Sequence, residues 1–123
     1  MKTGEEIKNR ALTLLNYTDQ NGRLDSAMYT DVVSRALAVV NQIYADLWYA
    51  LYSRGFQELS TLTDDVQLPE RVVNDCMPYG VAMLLAQTIG DADNQSMMTD
   101  LYNQKRATLT HVRHRKDVLP RAI

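Results

Sequence analysis

Residues 68–91 read LPERVVNDCMPYGVAMLLAQTIGD, and this stretch decides the fold. Pro69 suits a first helical position, where its missing N–H would have had no partner, and Glu70 beside it favours the positive end of the helix dipole. A helix is therefore expected to start near Pro69. Residues 79–86 are all apolar or glycine, so no face of that segment is suited to water, and Gly80, Ala82 and Ala86 let neighbouring backbones approach closely. This segment is expected to be the buried helix of the fold. Pro78 removes one helical hydrogen bond and crowds the carbonyl four residues back, so the helix should bend or restart there before Gly90 ends it.

Working outward, Thr3 followed by Glu6 forms a capping box, and Ile7, Ala11, Leu14 and Leu15 then recur at helical spacing. They predict a first helix over about residues 2–17. Asp19, Gln20, Asn21, Gly22 and Arg23 read as a polar turn, after which Ser26 or Thr30 can cap a long second helix ending at Gly55. Its apolar positions, among them Val32, Val40, Ile43, Leu47 and Leu51, cover an arc of about 180° on a helical wheel, enough to face at least two other helices. On the opposite side Ala38, Ala45 and Tyr49 line up between Asp31, Gln42 and Asp46. That stripe is a candidate for subunit packing, set against the plainer reading of helix-favouring alanines on a solvated face.

Residues 56–67 have no helical period and read as a loop, tucked onto the body by Phe56, Leu59 and Leu62. Met98, Leu101, Tyr102, Leu109 and Val112 predict a last helix over about residues 94–113, with Lys105 laying its stem on apolar surface and lifting its ammonium into water. From His114 the chain lacks a period and contains Pro120, so an extended tail is expected. The fold class is therefore all-α: a compact bundle of four main helices over residues 1–113, with an extended basic C-terminal tail over residues 114–123.

Composition bounds the function. At 123 residues, with 46% apolar and 23% charged content, one soluble globular domain is expected. The N-terminus lacks the layout of a secretory signal, which points to an intracellular protein. The longest fully apolar run, residues 81–86, is far short of the roughly 20 needed to span a bilayer. Charge is split along the chain. Residues 1–102 hold 7 Lys and Arg against 14 Asp and Glu, whereas residues 103–123 hold 6 against 1. An acidic body does not grip a phosphate backbone, and a basic tail suits an acidic protein surface or nucleic acid.

No catalytic constellation is legible, and the chain is read as a non-enzyme with no cofactor or metal. Cys76 is alone and sits within the buried stretch, as a small core residue would. His111 and His114 are three apart, but Asp100 and Asp117, the nearest further ligands, complete no recognised zinc spacing. Asp64 and Asp65 are adjacent, have no nucleophile beside them and suit capping or loop fixing. The glycines are scattered singly, so no phosphate loop exists. The tail has Arg113, Arg115 and Lys116 for phosphate contact but no aromatic for base stacking.

The sequence from Leu62 onward resembles the head-to-tail connector, or adaptor, proteins of tailed bacteriophages and prophages. In many of these a Leu-x-Asp segment leads to Leu-Pro, then to a Pro-Tyr-Gly-x-Ala-x-x-Leu-Ala helix, then to Gly-Asp and a last helix with a tyrosine. The corresponding residues are Leu62, Asp64, Leu68, Pro69, Pro78, Tyr79, Gly80, Ala82, Leu85, Ala86, Gly90, Asp91 and Tyr102. The resemblance is detailed over the second half of the chain and is only a helical pattern over the first.

It implies a structural protein of the virion neck, assembled in the host cytoplasm as a homo-oligomeric ring between the portal protein and a tail completion protein. DNA would pass through the ring without specific binding. Arg113, Arg115, Lys116, Val118, Leu119, Arg121 and Ile123 are then the expected partner-binding residues of the tail. The alternative is a DNA-binding packaging accessory protein, like a small terminase subunit, that places the same tail on DNA.

Overall fold

The computed structural model describes the backbone of residues 2–18 and 26–122, and the side chains of residues 2–18 and 30–109. The expected polar turn at Asp19, Gln20, Asn21, Gly22 and Arg23 lies outside the described residues, as does Ile123. Five helices follow in order: α1 (Gly4–Leu15), α2 (Ser26–Leu51), α3 (Glu70–Asp75), α4 (Met77–Ile89) and α5 (Ala92–Ala122). The all-α bundle read from the sequence is the architecture found, with α3 and α4 as two parts of the helix expected to bend or restart.

The ends of α1 follow local chemistry. Thr3 Oγ1 accepts from the Glu6 N–H while the Glu6 carboxylate accepts from the Thr3 N–H, so the capping box is complete. At the other end Asn16 adopts the left-handed conformation, φ 63°, and the Tyr17 N–H reaches back to the Leu12 carbonyl. Gly90 closes α4 in the same way at φ 84°, with the Asp91 N–H bonded to the Ala86 carbonyl. Helix and turn are thus specified by the residues at their junctions.

α4 is the centre of the molecule. It packs on α1, α2 and α5, and Met77, Pro78, Gly80, Val81, Ala82, Leu85 and Ala86 are buried. Burial on several sides is the expected consequence of a segment with no polar face. Cys76, at φ −113°, breaks the helix between α3 and α4, and Pro78 falls in the first turn of α4, where its missing N–H costs nothing. Of the bend or restart expected at Pro78, the structure shows the restart. Gly80 makes the tightest approach: a Cβ there would lie 2.7 Å from Tyr102 Cε1 and 2.9 Å from Ile43 Cγ2.

Three boundaries differ from expectation. α1 is shorter by about a residue or two at each end. α2 stops at Leu51 rather than Gly55, because the Trp48 indole turns to the Arg54 carbonyl at 3.0 Å and Gly55 enters the left-handed region at φ 91°. The largest correction concerns the C-terminus. The extended tail expected over residues 114–123 is helical through Ala122, because α5 continues without a break past Arg113. Arg115, Lys116, Leu119 and Arg121 all favour helix, and Pro120, so near the end, interrupts few backbone hydrogen bonds.

Candidate interaction surface

The connection between α2 and α3 is irregular in backbone but densely tied. Its N–H and carbonyl groups pair with the start of α1: Gly4 N–H donates to the Asp64 carbonyl at 3.2 Å, Glu5 N–H to the Leu62 carbonyl at 2.7 Å, and Val66 N–H to the Lys2 carbonyl at 2.9 Å. Asp64 also fixes the loop from within, one carboxylate oxygen accepting from the Ser60 and Thr61 N–H groups at 2.9 and 3.0 Å. This is the loop-fixing role expected of it. On the other side Asn41 of α2 clamps Leu59 twice, its amide donating to the Leu59 carbonyl at 3.0 Å and its oxygen accepting from the Leu59 N–H at 2.7 Å. The Tyr44 hydroxyl accepts from the Gln67 N–H at 2.9 Å. Leu59 is buried, and Phe56 and Leu62 are half-buried against the core.

An aromatic cluster closes the C-terminal end of α2. Tyr44 stacks edge-on to Phe56 with ring centroids 5.1 Å apart, Trp48 lies 4.6 Å from Tyr52, and Tyr49 lies 5.9 Å from Phe56. Below it a groove of about 360 Å³ runs between α2 and the loop, with Tyr44 and Trp48 on one wall and Glu58, Asp64, Asp65 and Gln67 on the other. Glu58 and Asp65 are exposed. Among the described residues its lining contains three carboxylates and no Lys, Arg or His.

Between α2 and α5 lies a polar network that the sequence reading misplaced. Asp46, expected on the outer face of α2 with Ala45 and Tyr49, instead turns towards α5. It accepts from the Tyr102 hydroxyl and from Arg106 Nε at 2.7 Å and Nη2 at 3.1 Å. Burial, and donation to Asp46, push the Tyr102 hydroxyl well above the usual phenol range, and the same carboxylate raises the Arg106 guanidinium further. Asp46 shares a wheel stripe with the buried Val39, Ile43 and Ala50, and Asn41 one with Leu37, Tyr44 and Trp48. A polar residue within an apolar stripe was the available signal for both.

A second tie joins α1 to the start of α5. The Tyr17 hydroxyl donates to Asp91 at 2.7 Å, and Asp91 also accepts from the Asn94 N–H and side chain. Burial, then the bond to Asp91, push Tyr17 up to about 12. The Tyr17 hydroxyl, followed by Asn94, holds Asp91 below the usual carboxylate range.

The remaining candidates separate clearly. Ala38 is exposed, Ala45 half-buried and Tyr49 52% exposed, so only the ends of the expected subunit stripe face outward. Cys76 is buried, and burial pushes its thiol up to about 12, as for an unreactive core residue. Lys105 is half-buried with its ammonium 4.8 Å above the Tyr79 ring, a cation–π contact in place of a fully hydrated ion. Arg113, Arg115, Lys116, Val118, Leu119 and Arg121 lie on the helical backbone of α5, but their side chains, with those of His111, Val112 and His114, lie outside the described ones.

Among the described residues no three His, Cys, Asp or Glu side chains are grouped to hold a metal ion. No helix among them is long and apolar enough to cross a membrane. Comparison of the chain with known protein families, curated proteins and solved structures gave no match.

Proposed function

We propose that this chain is the subunit of a phage or prophage head-to-tail connector ring, a non-enzymatic structural protein that continues the DNA channel between portal and tail. The observation that carries this reading is the convergence of the resemblance residues on one packed unit. Pro78, Gly80, Ala82, Leu85 and Ala86 form the buried face of α4, Tyr102 lies on Gly80, Gly90 closes the helix, Asp91 ties α5 to α1, and Asp64 fixes the loop to α1. These are the residues that a shared fold would need, and no separate catalytic chemistry is asked of them. The charge split supports the same role: an acidic body lets DNA slide past, and a basic, partly apolar C-terminus anchors to a neighbouring subunit or to the portal. Assembly in the host cytoplasm and residence in the virion neck follow from that role.

The test is a null allele in the phage or prophage that carries the gene. Capsids are expected to package DNA but to lose it or fail to join tails. Normal tailed virions would refute the connector reading.

One observation favours a second reading, a DNA-binding packaging accessory protein. Arg113, Arg115, Lys116 and Arg121 lie on a continuous helix rather than an extended segment, and a basic helix is a common phosphate-binding element. Absence of packaging in the null allele, together with DNA binding by the purified chain that weakens steeply with salt, would select it.

A further inference from the structure

We infer that the groove between the C-terminal half of α2 and the 55–67 segment receives the basic C-terminal segment, residues 113–121, of a second copy of the chain. The two surfaces are chemically complementary. Among the described residues Glu58, Asp64 and Asp65 line the groove without a cation, and Tyr44 and Trp48 form its aromatic wall. Residues 113–121 read RHRKDVLPR, with four Lys and Arg against one Asp and with Val118 and Leu119 among them. Arginine suits such a site on both counts, since its planar fork pairs with carboxylates and its face stacks on aromatic rings. The same carboxylates repel nucleic acid from the groove.

The occupant comes from another copy because the chain's own tail cannot reach. Asp46 faces α5, bonded to Tyr102 and Arg106. Tyr44 and Trp48, two residues to either side, point about 160° away around the α2 axis at 100° per residue. The groove is therefore on the far side of α2 from α5. Because α5 remains helical through Ala122, its last residues continue along its own axis instead of turning back around α2. Each copy then offers one groove and one tail, a head-to-tail contact that closes into a ring when its rotation permits. Docking of this kind rests on the ring-forming reading above and supplies its contact.

Sedimentation velocity on the full chain tests it. The unmodified protein is expected to self-associate at low ionic strength and to dissociate as salt screens the contact. Glu58→Lys with Asp65→Lys, or Arg115→Glu with Lys116→Glu, should each weaken association at least tenfold while leaving the helical circular dichroism unchanged. Mixing the two variant chains should restore a heterodimer, because one keeps a native tail and the other a native groove. Should a charge reversal unfold the protein, chains carrying Glu58→Cys and Leu119→Cys are mixed and oxidised, and a disulfide-linked heterodimer is expected.

A chain that stays monomeric at low salt, reversals without effect, or absence of the cross-link would overturn the docking. A monomeric chain whose null allele still blocks tail joining would remove the groove contact and leave the connector reading. Association through the groove with normal tailed virions in the null allele would do the reverse.

Discussion

α4 and the connection from residue 52 to residue 69 both pack against α1 and α2, and they are held there by opposite means. α4 is placed by shape. Its apolar side chains fill the space between three helices, and Gly80 admits the Tyr102 ring where any other residue would collide. The connection is placed by hydrogen bonds: Asn41, Tyr44, Asp64 and the first residues of α1 satisfy its backbone groups one by one. A periodic segment can satisfy its own backbone and need only bury its side chains, whereas an irregular one must find a partner for each polar group it brings near the core. The acidic groove follows from the second case, since the carboxylates that suit a polar loop remain along its rim.

The contrast is sharpest at Gly80. Gly80→Leu is expected to cost about 3 kcal/mol or more, because backbone and rings would have to separate to admit the side chain. Thermal melting followed by circular dichroism should fall by about 10 °C or more. An unchanged midpoint would mean that shape does not place α4.

Asn41→Ala tests the other half. It leaves the Leu59 N–H and carbonyl without their partners and is expected to cost about 2 kcal/mol. Hydrogen exchange should quicken in the connection before it quickens in α4. Uniform loosening of both regions would break the distinction.

Tyr102 mixes the two modes, a ring packed on Gly80 and a hydroxyl bonded to Asp46. Tyr102→Phe keeps the packing, and Arg106 keeps Asp46 paired, so the expected cost at neutral pH is only about 1 kcal/mol. The difference should show in alkali. Tyr102 and Tyr17 are both raised from a reference value of 10.0. The unfolded chain therefore loses these protons first, and the stability they confer, complete below pH 10, is lost as the pH rises towards the folded values. Urea midpoints measured from pH 7 to pH 11 should drop above about pH 10 in the unmodified protein and less steeply in Tyr102→Phe. Parallel curves would show that neither burial nor the Asp46 bond holds the Tyr102 proton in the folded state.

Sequence alone determined the elements whose causes are local. The capping box at Thr3 and Glu6, the stops at Gly90 and near Tyr17, the restart around Pro78 and the all-round apolar run of residues 79–86 each carry their reason within a few residues of chain. Those features fixed the all-α class and the identity of the central helix. Tertiary structure decided what depends on residues far apart. Asp46 looked solvated until α5 brought Tyr102 and Arg106 to it, across separations of 56 and 60 residues. Glu58, Asp64 and Asp65 became one wall of a groove only when Asn41 and α1 folded the connection against Tyr44 and Trp48. The helical course of α5 past Arg113 also escaped the pattern, because apolar periodicity is the signal read for a helix and RKDVLPRA carries no such period.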